Sequence, residues 1–167
     1  MAKNIQRPSI ERLRELFHAD FERGILIRKI SNNQYPVGEF SGCYDPSCGY
    51  YRVAIDQKRY LVHQVIWAMK TGEWSKKHIN HISGSLTDNR FDNLRESTRR
   101  QSKQSSKLYR NNKFGLKGVS KFKSCFRSDI RVNGKTLYLG LHDTPEQGHQ
   151  AYIRAAKKYF QEFARAS

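Results

Sequence analysis

From Arg99 to Lys113 only two side chains are apolar, Leu108 and Tyr109. A core element needs a recurring apolar face, so this stretch reads as a basic linker, and no single core can run through it. The 167 residues then divide into two small units, 1–98 and 114–167, each with its own apolar pattern.

The later unit has the cleaner pattern. Gly118 to Phe122, Phe126 to Val132 and Thr136 to Leu141 are strand candidates, and Asn133-Gly134 between the last two is a strong hairpin signal. Thr144 as cap, Pro145 at the first position and Gln147 at the third predict a helix start. That helix is expected to reach about Ala164, with Tyr152, Ala155, Ala156, Tyr159, Phe160 and Phe163 on its apolar face. The expectation is a three-stranded antiparallel sheet backed by one helix.

The earlier unit mixes helices and strands. Ser9 caps a predicted helix from Ile10 to about His18, Gly24 breaks the pattern, and Ile25 to Ile27 reads as a strand. Residues 31–49 read as loop, and Tyr50 to Ile55 with Arg59 to Val62 as a hairpin around Asp56-Gln57-Lys58. A helix is expected from His63 to Lys70, ended by Gly72. Ile79 to Ser83 reads as extended, Ser85 to Asp88 as a turn, and Asn89 to Glu96 as a helix packing Phe91 and Leu94. The fold class is therefore α+β.

A formal net charge of +16 favours a polyanionic partner, because each Lys or Arg set on a phosphate releases counterions. The charge is concentrated: from Arg99 to Lys135 there are twelve basic residues and one acid, Asp129, so eleven of the sixteen net charges fall there. Such density, continuing onto alternate strand positions, fits phosphate contact better than a merely solvated face. A basic RNA- or ribosome-associated protein is the competing reading of the same charge. No long apolar span suggests a membrane partner, and the N-terminus has no apolar stretch of signal-peptide length, so a cytoplasmic location is expected. Cys43, Cys48 and Cys125 lack the spacing of a zinc ribbon and read as reduced thiols; a Cys43/Cys48 half-site would need two further ligands.

The chemistry-bearing stretch runs from residue 60 to 106. Asn80-His81 precedes a Gly-containing loop, then Asp88-Asn89-Arg90, Asn93-Leu94-Arg95, and a run of Lys, Arg, Ser and Gln. Hydrolysis of a phosphodiester needs a base to activate water and a cation to hold the phosphate and the leaving oxygen. His81 is the candidate base. Asn93 is spaced to hydrogen-bond across the loop, and Ser102 stands where a second metal ligand would face Asn80. His63, at a strand-to-helix junction, reads as a helix cap or packing residue.

These residues resemble the HNH homing-endonuclease family of phages and group I introns. The resemblance is carried by Val62-His63, Trp67, His81-Ile82, Gly84, Asp88-Asn89-Arg90, Asn93-Leu94-Arg95 and Gln101. It implies an N-terminal ββα-metal nuclease domain, with His81 as general base and Asn93 as the organising asparagine. It also implies Asn80 and Ser102 as ligands of one Mg2+ or Mn2+ ion. The family more often has Asp at position 80 and Asn or His at 102; Gln64 and Ser105 also depart from it. Magnesium favours charged oxygen ligands, so an amide and a hydroxyl imply weak metal binding. A catalytically weakened or inactive DNA-binding descendant is the alternative.

Residues 114–167 resemble the Apetala-type DNA-binding domain of plant ethylene-response factors. The carrying residues are Gly118-Val119-Ser120, Phe126 to Arg131, Tyr138-Leu139-Gly140, Asp143-Thr144-Pro145-Glu146 and the helix with Ala151-Tyr152 and Ala155-Ala156. The resemblance implies that the sheet reads duplex DNA. Strand alternation then puts Arg127, Asp129 and Arg131 on the DNA face with Thr136 and Tyr138, and Phe126, Ser128 and Ile130 against the helix. Lys103, Lys121, Lys123 and Lys135 are further expected DNA contacts, and Arg90, Arg95, Arg99 and Arg100 expected phosphate contacts near the nuclease site. A monomer or weak dimer with one site predicts nicking of double-stranded DNA, with no obligate small-molecule ligand.

Overall fold

The structure, a computed structural model, describes residues 7–31, 36–105, 112 and 114–165. The chain divides into two compact units, 1–97 and 98–167, and each has its own apolar cluster. Most of the run 106–113 expected as linker lies outside the described residues, and so do residues 32–35 of the expected loop.

In the first unit, α1 (Ile10–Leu16) starts where the Ser9 hydroxyl accepts the Arg12 amide at 3.1 Å. It stops two residues before the predicted end. Phe17 and Ala19 alternate with exposed His18, so Phe17–Asp20 forms β1 and pairs antiparallel with β2 (Ile25–Arg28). Helical spacing and strand alternation both fit these residues, and burial of Phe17 against Leu13 and Leu26 favours the strand.

The region expected as loop contains β3 (Cys43–Asp45), an edge strand whose backbone pairs with β4 (Tyr50–Ile55). It has little apolar patterning because it is mostly exposed. The expected hairpin is β4 with β5 (Lys58–Leu61), turned at Asp56-Gln57 with positive φ at both residues. Next, α2 (Val62–Thr71) buries Val62, Val65, Ile66 and Met69 and ends at Gly72 in the left-handed region, as the spacing predicts.

The predicted helix 89–96 is absent. Phe91–Asn93 makes one 3-10 turn, and Leu94–Ser97 is a strand, β7, paired antiparallel with β6 (His78–His81). Backbone pairing with β6 and burial of Leu94 and Ser97 outweigh a helical spacing too short to nucleate alone.

The second unit opens with α3 (Arg99–Gln104), a helix inside the run read as linker. Its start is a capping box in which Thr98 and Gln101 satisfy each other's backbone amides. No residue of α3 is buried. The sheet has the order β10-β9-β8, with β8 (Val119–Phe122), β9 (Cys125–Val132) and β10 (Lys135–His142) all antiparallel. Asn133 and Gly134 both have positive φ, as the hairpin signal requires. Helix α4 (Pro145–Phe160) covers one face through Ala155, Ala156 and Phe160, and a 3-10 turn over Gln161–Phe163 replaces the last predicted helical turn.

Candidate functional site

The site in the first unit is the loop joining β6 to β7, and Asn93 builds it. The Asn93 amide oxygen accepts the Ser83 backbone N–H at 2.8 Å, and its amide nitrogen donates to the Asp88 carbonyl at 2.7 Å. Its backbone carbonyl accepts the Ile82 N–H at 2.8 Å. One half-turn of backbone thus ties both ends of the loop to the start of β7.

The loop also rests on the β1–β2 turn. The Phe91 N–H donates to the Phe21 carbonyl at 3.0 Å, and a Cβ at Gly24 would overlap the backbone of Asn89 and Arg90. Gly24 has φ +69°, so it serves both as a left-handed turn residue and as the point of closest approach. Its role as a strand break was legible in the sequence; its contact with the site was not.

His81 ends β6 and is 4 % exposed. Its Nε2 lies 3.2 Å from the Asn89 amide oxygen. An amide oxygen only accepts, so Nε2 carries the hydrogen and the neutral ring keeps its lone pair on Nδ1. His63, buried at 3 % exposure, faces His81 edge-on with ring centroids 4.8 Å apart, and Tyr50 packs on both rings. No side chain caps α2, so of the two readings of His63 the structure supports packing.

Burial pushes the His63 imidazole down to about 3, with the neighbouring His81 acting in the same direction. Burial also lowers His81, opposed by its hydrogen bond to Asn89 and by the negative charge of Asp88. Both rings are thus neutral near neutral pH, the form a general base requires. Nothing in the linear pattern announces that His63, eighteen positions upstream, touches His81.

The two metal-ligand candidates fall on different units. Asn80 stands on β6, on the strand face opposite His81 and across from Arg95 in β7. Ser102 stands on α3, half-buried, with its backbone N–H bonded to Thr98. The Asp88 carboxylate accepts two bonds from Arg90, at Nε and Nη2, each 2.8 Å. Arg90 holds that carboxyl below the usual range. Among the described residues no three His, Cys, Asp or Glu side chains converge as a metal cluster. The donor chemistry therefore fits a loosely held ion completed by phosphate and water, and does not fit a closed protein cage.

In the second unit the register brings the expected sheet-face residues together. Thr136 pairs with Arg131 and Tyr138 with Asp129, so these share a face with Arg127. The Arg127 guanidinium bonds Asp129 at 2.9 Å and lies over the Tyr138 ring. On the opposite face Ser128 and Ile130 are buried, and the Ser128 hydroxyl donates to the Gly148 carbonyl of α4 at 2.8 Å. Phe126 is only half-buried and packs edge-on against Phe114. Lys121 pairs with Phe126 and therefore lies on the helix side, away from Arg127. Lys123 occupies the β8–β9 turn at positive φ, and Lys135 opens β10 beside the hairpin tip.

Residues 60–104 match the family model described as HNH endonuclease. An HNH endonuclease domain there supports a nuclease acting on DNA. The match lies mid-chain, contains the loop built by His81, Asn89 and Asn93, and runs on through α3 into the second compact unit. No curated protein and no solved structure matches the chain. No helix among the described residues is long and apolar enough to cross a membrane.

Proposed function

We propose that this chain is a DNA-binding endonuclease of the HNH type that nicks duplex DNA, with His81 as general base and one Mg2+ or Mn2+ ion per site. The observation that carries the reading is a neutral His81 at the end of β6, inside the matched segment and beside a loop braced by Asn93. His81 Nδ1 takes a proton from water as the water oxygen bonds to phosphorus. The bond to the 3′ oxygen breaks, that oxygen takes a proton from solvent and His81 returns its own to solvent, leaving a 3′ hydroxyl and a 5′ phosphate. Asn93 is a positioning residue, keeping the loop in register with β7. The resemblance assigns Asn80 and Ser102 as ligands of the ion, whose charge, when bound, would offset that of the phosphate and the leaving oxygen.

The second unit supplies affinity for double-stranded DNA, with Arg127, Arg131, Thr136 and Tyr138 on the sheet face and Arg99, Arg100 and Lys103 on α3. The resemblance to Apetala-type domains and the shared face of those strand residues support this.

A second reading, a DNA-binding protein without catalysis, is favoured by the donor set, in which Asn80 and Ser102 are uncharged and the Asp88 carboxylate is bonded to Arg90. Incubation of supercoiled plasmid with Mg2+ or Mn2+ separates the two. Nicking that disappears in His81→Ala supports the enzyme; duplex binding with no nicking at any metal concentration supports the second reading. Under the first reading, restoring Asp at 80 and Asn at 102 together increases the nicking rate.

A further inference from the structure

The second unit contains a cleft whose aromatic wall the duplex reading leaves unassigned, although it shares Arg99, Arg100, Lys103 and Arg131 with that reading. Strand β9 is eight residues long and β8 only four, with Val119 opposite Ser128. From Ile130 to Val132 no described strand covers that edge of β9, and the sheet is two strands wide. There a cavity of about 780 Å3 opens between α3, the Lys117-Gly118 approach to β8, the Asn133-Gly134 tip and α4.

Its chemistry is one-sided. Five cationic residues line it, Arg99, Arg100, Lys103, Lys117 and Arg131, and no described lining residue is Asp or Glu. Tyr152 and Phe160 of α4 supply aromatic wall to the cleft. Tyr152 is held firmly: a Cβ at Gly118 would overlap its ring, and His149 stacks on it at an interplanar angle of 9°.

We propose that this cleft binds a single-stranded segment of nucleic acid, one or two nucleotides deep, with phosphates on the cations and a base against Tyr152. Its volume lies within the range of about 300–1,000 Å3 that holds one small ligand, too small to admit a duplex whose major groove alone is about 12 Å across. Clustered cations beside rigid aromatic surface are how sequence-tolerant single-strand sites work. The inference rests on the nucleic-acid reading of the charge and not on catalysis.

The test is anisotropy of a fluorescent eight-nucleotide single strand with the full chain in EDTA, where no cutting occurs. The variant R99S/R100S/K103S is expected to bind at least tenfold more weakly. Its salt slope should be shallower by roughly 0.7 per lost phosphate contact. A charge-matched control, K58S/R59S/K76S, is expected to change affinity less than twofold. An acidic peptide and inorganic phosphate are each expected to compete poorly. Equal competition by either of them, or equal losses in the two triple variants, overturns the proposal. Photocrosslinking of a thiothymidine-containing strand to the unmodified chain gives an independent readout. Crosslinks in the α4 peptide bearing Tyr152 support the cleft, whereas crosslinks confined to the Tyr138 strand reject it. Plasmid nicking is scored separately, so loss of the nuclease reading and loss of the cleft are distinguishable.

Discussion

The two units spend their polar residues in opposite ways. Around His81 the polar groups are buried and neutral: His63, Asn89 and Asn93 are all under a tenth exposed and hydrogen-bond or pack within the loop. In the second unit the polar groups are charged, half-exposed and gathered on a sheet face and in a cleft. The first arrangement holds one ring in one protonation state. The second attracts a polyanion over a wide surface at little desolvation cost. Chemistry and grip therefore answer to different mutations.

The largest break in that comparison is His81→Ala. It is expected to lower the nicking rate by roughly 10²–10⁴-fold, the usual worth of a general base, while leaving duplex affinity within twofold by gel shift. Gly24→Ala should come next. A Cβ would overlap the Asn89–Arg90 backbone at a φ unsuited to alanine, a strain on the order of 1–3 kcal/mol. A lowered Tm with loss of nicking and retained single-strand binding is the expected pattern; an unchanged Tm would show that the β1–β2 turn does not support the loop.

Asn93→Ala removes the bonds to Ser83 and Asp88, costing about 1–3 kcal/mol through the buried groups left behind. It is expected to lower kcat more than it lowers affinity, since the loop and not the DNA surface loosens.

Lowering the pH sharpens the contrast differently. The native His63 value of about 3 lies below its unfolded value, and His81 is shifted the same way. In that window the unfolded chain binds more protons, so the stability contributed by these rings is fully present above about pH 6.5 and is lost as pH falls towards 3. Denaturant midpoints should fall between pH 7 and pH 5, and more gently in His63→Phe. A variant with an unchanged slope would remove His63 as the cause.

The smallest effect is expected for Arg127→Ala. Its guanidinium already bonds Asp129, so duplex affinity should drop by about tenfold or less, with the salt slope falling by roughly one unit; nicking at saturating protein should persist.

Much of this was legible in the linear chain because it depends on neighbours in sequence. The Asn133-Gly134 turn, the Thr144 and Pro145 helix start and the α2 stripe ending at Gly72 are local patterns, and each forms where the spacing predicts. The twelve-residue interval from His81 to Asn93 likewise implied a braced loop, and the side-chain bonds of Asn93 supply it.

Three of the errors share one cause. Phe17–Asp20, Cys43–Asp45 and Leu94–Ser97 became strands through partners elsewhere in the chain. Only burial and backbone pairing could choose between helix and strand for such short runs.

The sequence by itself determined that the chain is basic, has two apolar halves and carries an HNH-like run from residue 60 onward. Tertiary structure alone decided that His63 and Tyr50 enclose His81, that Gly24 presses on Asn89 and Arg90, and that a cationic cleft opens along an edge of β9 that no described strand covers. Those contacts join residues far apart along the chain, and their energies depend on distance and burial, which no spacing encodes.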